Sequence, residues 1–221
     1  MRLIITDVTE MHDRNFCVAG WSAKTGRMVR PLPNGANWTQ RLLQQHGVTP
    51  GATISFRALT TPHQGAYPHS TEDTIVDATQ IALVNPGPCS WFGSNGPTVS
   101  ASVAAGFGGA VEHNSVWNGT YQGVYVPVGT QVCSLSAIIV PRTQLGFVEE
   151  FRKLKAIVDD GTASYKLAVS SVHLKVAWRS GGVAAVRAAI PTSPRLHVRV
   201  GLARGFGTPP KCYMMLNGVY G

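Results

Sequence analysis

His69-Ser70-Thr71-Glu72-Asp73 is the densest run of titratable side chains in the chain, with His63 just upstream. An imidazole beside two carboxylates is the minimum set for acid/base work or for holding a metal ion. The spacing lacks the i, i+4 repeat that sets two histidines on one helix face. His69, Glu72 and Asp73 therefore stand as catalytic candidates beside a plainer alternative, a loop whose carboxylates cap its own turns. A second group is Arg30-Pro31-Leu32-Pro33-Asn34-Gly35. Pro31 stiffens the backbone after Arg30, so Arg30, with Asn34 close by in sequence, can be held out to a phosphate or base, or can bond loop carbonyls. The third is Arg195-Leu196-His197-Val198-Arg199-Val200, where period-two alternation puts Arg195, His197 and Arg199 on one face of a strand and the apolar residues on the other.

Such a basic stripe backed by core suits a polyanion: neutralising phosphates releases condensed counterions, and aromatic rings stack bases. Arg179 and Arg204 add charge nearby, and Trp178 and Tyr213 are the stacking candidates, with Tyr165 and Phe206 also close in sequence. Other chemistries lose their signatures. There is no G-x-x-x-x-G-K-[ST] loop, Gly106-Phe107-Gly108-Gly109 sits in no βαβ pattern, and no G-x-S-x-G occurs. Cys17, Cys89, Cys133 and Cys212 are scattered without a C-x-x-C pair, so they read as reduced, mostly buried thiols and not as zinc ligands. Neither a metal nor a cofactor is expected.

Charge sharpens the choice. The chain has 221 residues, 19 Lys+Arg and 11 Asp+Glu, a net of +8, with only 14% of residues charged and 44% hydrophobic. Intrinsic disorder is excluded by that apolar content. Residues 1–135 hold seven bases and seven acids, whereas no acid follows Asp160 and eight bases do. The final third carries the whole excess. No run approaches the roughly 20 apolar residues of a membrane span, and the start, broken by Asp7, does not read as a signal peptide. A cytoplasmic protein without membrane contact is expected.

The elements that must position these groups are short, because 24 glycines and 14 prolines punctuate the chain throughout. Strands are predicted over 3–8, 16–21, 27–32 and 52–59, and a helix over 38–45 capped by Asn37. A long loop covers 60–70. Residues 85–110 are rich in Pro, Gly and Ser, with Trp91, Phe92 and Phe107 the main groups to bury. In the second half, strands are predicted over 123–128 and 132–140, then a helix over 145–158 from the spacing of Leu145, Val148, Phe151, Leu154 and Val158. Strands follow over 165–178, 184–190, 196–202 and 212–219. The fold class is thus mainly β, with two OB-like β-barrels of about five strands and one helix each. Their expected limits are 1–95, a linker or long loop over 96–122, and 123–221 for the basic C-terminal barrel.

Both ends of the chain carry a resemblance. Ile4-Ile5-Thr6-Asp7-Val8-Thr9, Cys17-Val18-Ala19-Gly20 and Thr25-Gly26-x-x-Val29-Arg30-Pro31 resemble the opening of the dual OB-containing domain family. Leu202-Ala203-Arg204 followed by Lys211-Cys212-Tyr213-Met214-Met215-Leu216-Asn217-Gly218-Val219-Tyr220 is similar to that family's ending. The resemblance spans roughly a quarter of the chain and implies a prokaryotic protein of two OB-like barrels that binds nucleic acid or nucleotides.

The sequence favours a non-enzymatic module that binds nucleic acid, single-stranded for preference, on the C-terminal barrel. An enzyme or sensor acting on a nucleotide or modified base, with Arg30, His69, Glu72 and Asp73 in one cleft, is the alternative, and a protein-interaction adaptor a third. From the sequence alone, Arg195→Glu with Arg199→Glu is expected to abolish polyanion binding in a filter or anisotropy assay without unfolding the barrel.

Overall fold

The opening β-branched run becomes β1 (Arg2–Glu10), which returns as β2 (Asn15–Ser22) and β3 (Arg27–Pro33), the three-stranded meander the sequence predicts. In this computed structural model the described residues are 1–59, 66–87 and 97–221. His63, Cys89, Trp91 and Phe92 lie outside them. Gly20 is fixed by space, since a side chain there would strike the Ile4 carbonyl and the Leu3 side chain. Trp38 lies in β4 (Trp38–Thr39) and not in the helix; it is fully buried, and its indole donates to the Pro31 carbonyl at 2.7 Å. The helix is shorter than predicted, α1 (Gln40–Gln45), and its cap is Thr39, whose hydroxyl accepts from the Leu42 amide. β5 (Thr53–Ser55), β6 (Asp73–Val76) and β7 (Ala82–Asn85) complete the first unit, Met1–Pro97.

Its sheet runs β6-β3-β2-β1-β5-β7, with β3 and β6 parallel. Beyond β5 the chain meets β6 again: Ala58 bridges Val76, and the Leu59 amide donates to the Ile75 carbonyl at 2.8 Å. The sheet therefore curls back on itself. Leading strand paired with the second and fourth, third parallel to the fifth, and a helix between third and fourth is five-stranded Greek-key barrel wiring, to which β7 is added at the free edge of β5.

The second unit, Thr98–Gly221, repeats that wiring. It contains α2 (Val103–Gly106), β8 (Ser115–Trp117), β9 (Thr120–Gln122), β10 (Tyr125–Pro127), β11 (Leu135–Pro141), β12 (Leu145–Glu150), β13 (Lys153–Asp159), β14 (Ser164–Val169), α3 (Val172–Ala189), β15 (Arg195–Leu202) and β16 (Lys211–Tyr220). A turn at Arg142–Gln144 divides the leading strand, so that β11 pairs with β15 and β12 with β13; β14 then lies parallel to β16, and α3 connects β14 to β15. Residues 98–122, expected to link the halves, belong to this unit: β9 joins β14 in parallel and β8 joins β9. The chain is mainly β, with two barrel-like units and few helices. Among the described residues no helix is long and apolar enough to cross a membrane.

Two expectations exchange places here. Residues 145–158, predicted helical, form the β12–β13 hairpin, because Leu145 and Phe147 on one strand and Leu154, Ala156 and Val158 on the other bury at period two. Conversely, the strand predicted over 165–178 stops at Val169, where Ser171 accepts from the Leu174 amide and starts α3. The segment 184–190, predicted as a strand, is the second half of that helix, which breaks at Gly181 and Gly182 (φ 64° at Gly182).

Beside the core, Asp160 ties α2 to the β13–β14 turn. Its carboxylate accepts from the Val103 amide (2.7 Å), the Thr162 amide (2.9 Å) and hydroxyl (2.6 Å), and the Ala163 amide (3.0 Å). Burial alone would raise its pKa, and these donors outweigh it, so the value lies below the ordinary 3.8. Asp160→Ala should cost about 1–3 kcal/mol in urea unfolding at neutral pH. A depressed folded-state pKa gives stability that is full above 3.8 and lost as pH falls through the lower folded value. The gap between wild type and variant should therefore close in acid.

Candidate functional site

The register of the first unit lines up charge. Asp7 stands opposite Ala19, Gly20 opposite Val29 and Arg30 opposite Asp73. Asp7, Ala19, Arg30 and Asp73 thus follow one another across four strands, on the face away from Val8, Val18 and Val29. All four are buried. Arg30 Nη1 meets Asp73 Oδ1 at 2.8 Å, the Arg30 amide donates to the Glu72 carbonyl at 2.8 Å, and Thr6 Oγ1 donates to Asp7 Oδ2 at 2.5 Å. Burial would lower the Arg30 pKa, but the fields of Cys17, Asp73 and Glu72 outweigh it and raise the value, so the guanidinium stays charged. His69, also buried, sits in the single helical turn that leads into β6, and its carbonyl accepts from the Glu72 amide at 3.2 Å.

The structure therefore joins Arg30 directly to Asp73 and to Glu72, with His69 three residues upstream. With exposures of 3% for Arg30 and Glu72, 4% for His69 and 9% for Asp73, the group is an ionic seam inside the wall, where an incoming substrate finds no open side chain. Among the described residues no three His, Cys, Asp or Glu side chains gather as metal ligands do. Asn34, exposed and at φ 50°, serves the turn after β3: its side chain accepts from the Ala78 amide at 3.1 Å and its amide donates to the Val76 carbonyl at 2.8 Å.

The C-terminal stripe is only partly at the surface. Arg195 is exposed, whereas His197 and Arg199 retain 5% and 1% exposure. This corrects the expectation of a solvent-facing row: alternation tells which residues share a face, not whether that face meets water. Trp178 packs half-buried against the core from α3, and its indole donates to Glu149 Oε2 at 2.9 Å, a structural use of the ring. Arg179 is exposed on α3 and Arg204 in the β15–β16 loop. Tyr213 is half-buried and edge-on to Tyr125 at 5.9 Å, with Lys211 Nζ 4.1 Å from the Tyr125 ring centre. Of the cysteines, Cys212 is buried, Cys17 half-buried and Cys133 exposed.

A different basic face emerges on the outer side of β12, β13 and β14. Lys155 stands opposite Val148 and Ala168, and Lys166 opposite Ile157, while the alternate residues Leu154, Ala156, Val158, Tyr165 and Leu167 fill the core. Glu150 pairs with Lys166 at 2.9 Å and stands opposite Lys153. The Lys155 pKa is lowered, first by burial and then by Lys153 and Lys166, against the opposing pull of Glu150. Positive charge here is under-neutralised. The β12–β13 turn carries Phe151 at 90% exposure beside the exposed Arg152, and the β15–β16 loop carries Phe206 at 76% beside the exposed Arg204. Sequence reasoning missed Phe151, Arg152, Lys153 and Lys155 as site residues by assigning them to a helix. The alternation from Leu154 to Val158 was the signal that could have found them.

Comparison of the chain with models of protein families, with curated proteins and with solved structures gives no match in any of the three. Arg30→Met, which strands the Asp73 carboxylate, should destabilise the first unit by about 3–5 kcal/mol in urea, and Arg30→Met with Asp73→Leu should recover much of that loss. By the same reasoning Arg199→Glu should lose folded protein by circular dichroism, while Arg195→Glu keeps it.

Proposed function

We propose that this chain binds single-stranded nucleic acid on the outer face of β12–β14, and that its two barrel-like units form a dual OB-containing pair of the kind its termini resemble. One observation carries the reading. The first–second and fourth–fifth strand loops of the barrel each present a nearly bare aromatic ring beside an arginine: Phe151 with Arg152, and Phe206 with Arg204. In OB barrels these loops and the second and third strands take oligonucleotides. Rings stack bases while lysines and arginines follow the phosphates.

The backbone supports it. Phe151 and Arg152 both hold positive φ, 51° and 57°. Such a two-residue turn favours Asn-Gly, and bulky residues there cost stability. Retaining a phenyl ring at that cost fits a residue kept for binding. The net charge of +8 aids capture by a polyanion.

Lys155→Glu with Lys166→Glu should weaken binding of a labelled oligonucleotide in fluorescence anisotropy, and should flatten the salt dependence by roughly 0.7 in logarithmic slope for each phosphate that is no longer neutralised. Phe151→Asn with Arg152→Gly should raise the urea midpoint and lower affinity together. Failure of the wild type to bind any oligonucleotide at low salt overturns the reading. The alternative, an enzyme or sensor that takes a free nucleotide in the first unit, is disfavoured by the burial of Arg30, His69, Glu72 and Asp73 and by the pairing of Arg30 with Asp73. Saturable nucleotide binding that survives both lysine substitutions supports it, and its absence in calorimetry removes it.

A further inference from the structure

β8 and β9 lie outside the five-stranded wiring, yet they widen the same sheet. β9 runs parallel to β14 with Thr120 opposite Ser164 and Gln122 opposite Lys166, and β8 returns with Trp117 opposite Thr120 and Ser115 opposite Gln122. Two cross-strand rows result on the lysine face: Trp117-Thr120-Ser164 and Ser115-Gln122-Lys166. A hydroxyl contact of 3.2 Å between Thr120 and Ser164 confirms that these side chains share a side. Tyr121, between them in sequence, points the other way. It is stacked on His113 at 4.1 Å and 5° and set edge-on to the buried Tyr165 at 5.6 Å, which pins the hairpin to the core.

The tip is Asn118-Gly119 with φ of 46° and 74°, the residue pair that suits this two-residue turn. It presents Trp117 rigidly, with 70% of its surface in water. A largely bare indole at the edge of a lysine-bearing sheet is open to a ligand, and its neighbours Gln122, whose Nε2 donates to the Thr120 carbonyl at 3.3 Å, and Ser115 bring neutral polar groups in place of charge. An unpaired base fits both features, stacking on the ring while its edge meets the carboxamide and hydroxyl.

We infer that the β8–β9 hairpin is a base-reading extension of the interface: Trp117 stacks one unpaired nucleobase and Gln122 with Ser115 reads its edge. Binding then has a base preference at one position. The inference rests on the β12–β14 reading and is tested separately from it. Oligonucleotides of about 12 residues of each of the four bases are titrated into wild type, Trp117→Ala, Gln122→Ala and the Lys155→Glu/Lys166→Glu protein. Circular dichroism and sedimentation are recorded for each.

Trp117→Ala should lose about tenfold in affinity for the preferred base. It should abolish the binding-induced quenching of tryptophan fluorescence and leave the salt slope unchanged, since stacking releases no counterions. Gln122→Ala should level the preference among the four bases. Wild-type affinity of a folded Trp117→Ala for all four, with the lysine variant impaired, overturns the hairpin's role and leaves the lysine face standing. A wild-type dimer that Trp117→Ala dissociates also overturns it, in favour of self-association. Absence of any wild-type binding ends both.

Discussion

In each unit the third strand of the barrel wiring lies parallel to the fifth, β3 with β6 and β14 with β16, and much else follows from that pairing. Parallel strands cannot be joined by a hairpin, so the chain must travel away and return, carrying a helix and the fourth strand on the way. In the first unit the return seats Asp73 against Arg30, so that each charge helps to offset the desolvation of the other. In the second, the same return brings Lys211 and Tyr213 alongside β10 and sends the Phe206 loop out next to it. The barrels are thus specified by contacts distant in sequence, which makes their formation slow relative to helical domains of similar size.

Much of the β framework was legible. The ends of the chain, from Leu3 to Leu32 and from Leu196 to Val219, carry short apolar, β-branched runs broken by turn residues, and their strands fall close to where the sequence places them. Residue types group Arg30, Glu72 and Asp73 only as walls of a cleft; that Arg30 and Asp73 pair inside the protein depends on the parallel register of β3 and β6. The middle was not legible, because Leu145 to Val158 satisfies two periods at once: Leu145, Val148, Phe151 and Leu154 suit a helix, while Leu145, Phe147, Leu154 and Ala156 suit two strands. Only the positive φ of Phe151 and Arg152 and the pairing to β14 decide it. Burial of Arg199 was equally out of reach, since a strand's sequence defines its two faces and the surrounding fold decides which is covered.

The distribution of the positive charge looks different with burial in hand. Arg30 and Arg199 are interior residues that a strand of nucleic acid cannot touch. Lys153, Lys155, Arg152 and Arg204 are at or near the surface, and the first three lie in a segment whose formal charge is neutral. A local balance of zero conceals them, because Glu149 is engaged by Trp178 and Glu150 by Lys166, while Asp160 is held by backbone amides. What matters for a polyanion is where the bases stand, since a carboxylate bonded to a neutral donor keeps its charge but can be turned away from the face that carries the lysines.

The divided leading strand also sets how the second barrel comes apart. β11 and β12 are consecutive in the chain, yet one is hydrogen-bonded to β15 and the other to β13. Lifting that strand opens both sides of the barrel at once, so its amides exchange with solvent only through global unfolding. The β8–β9 hairpin is bonded along one edge alone, through β9 to β14. It forms a separate cooperative unit that opens at lower free energy, leaving the barrel intact behind it.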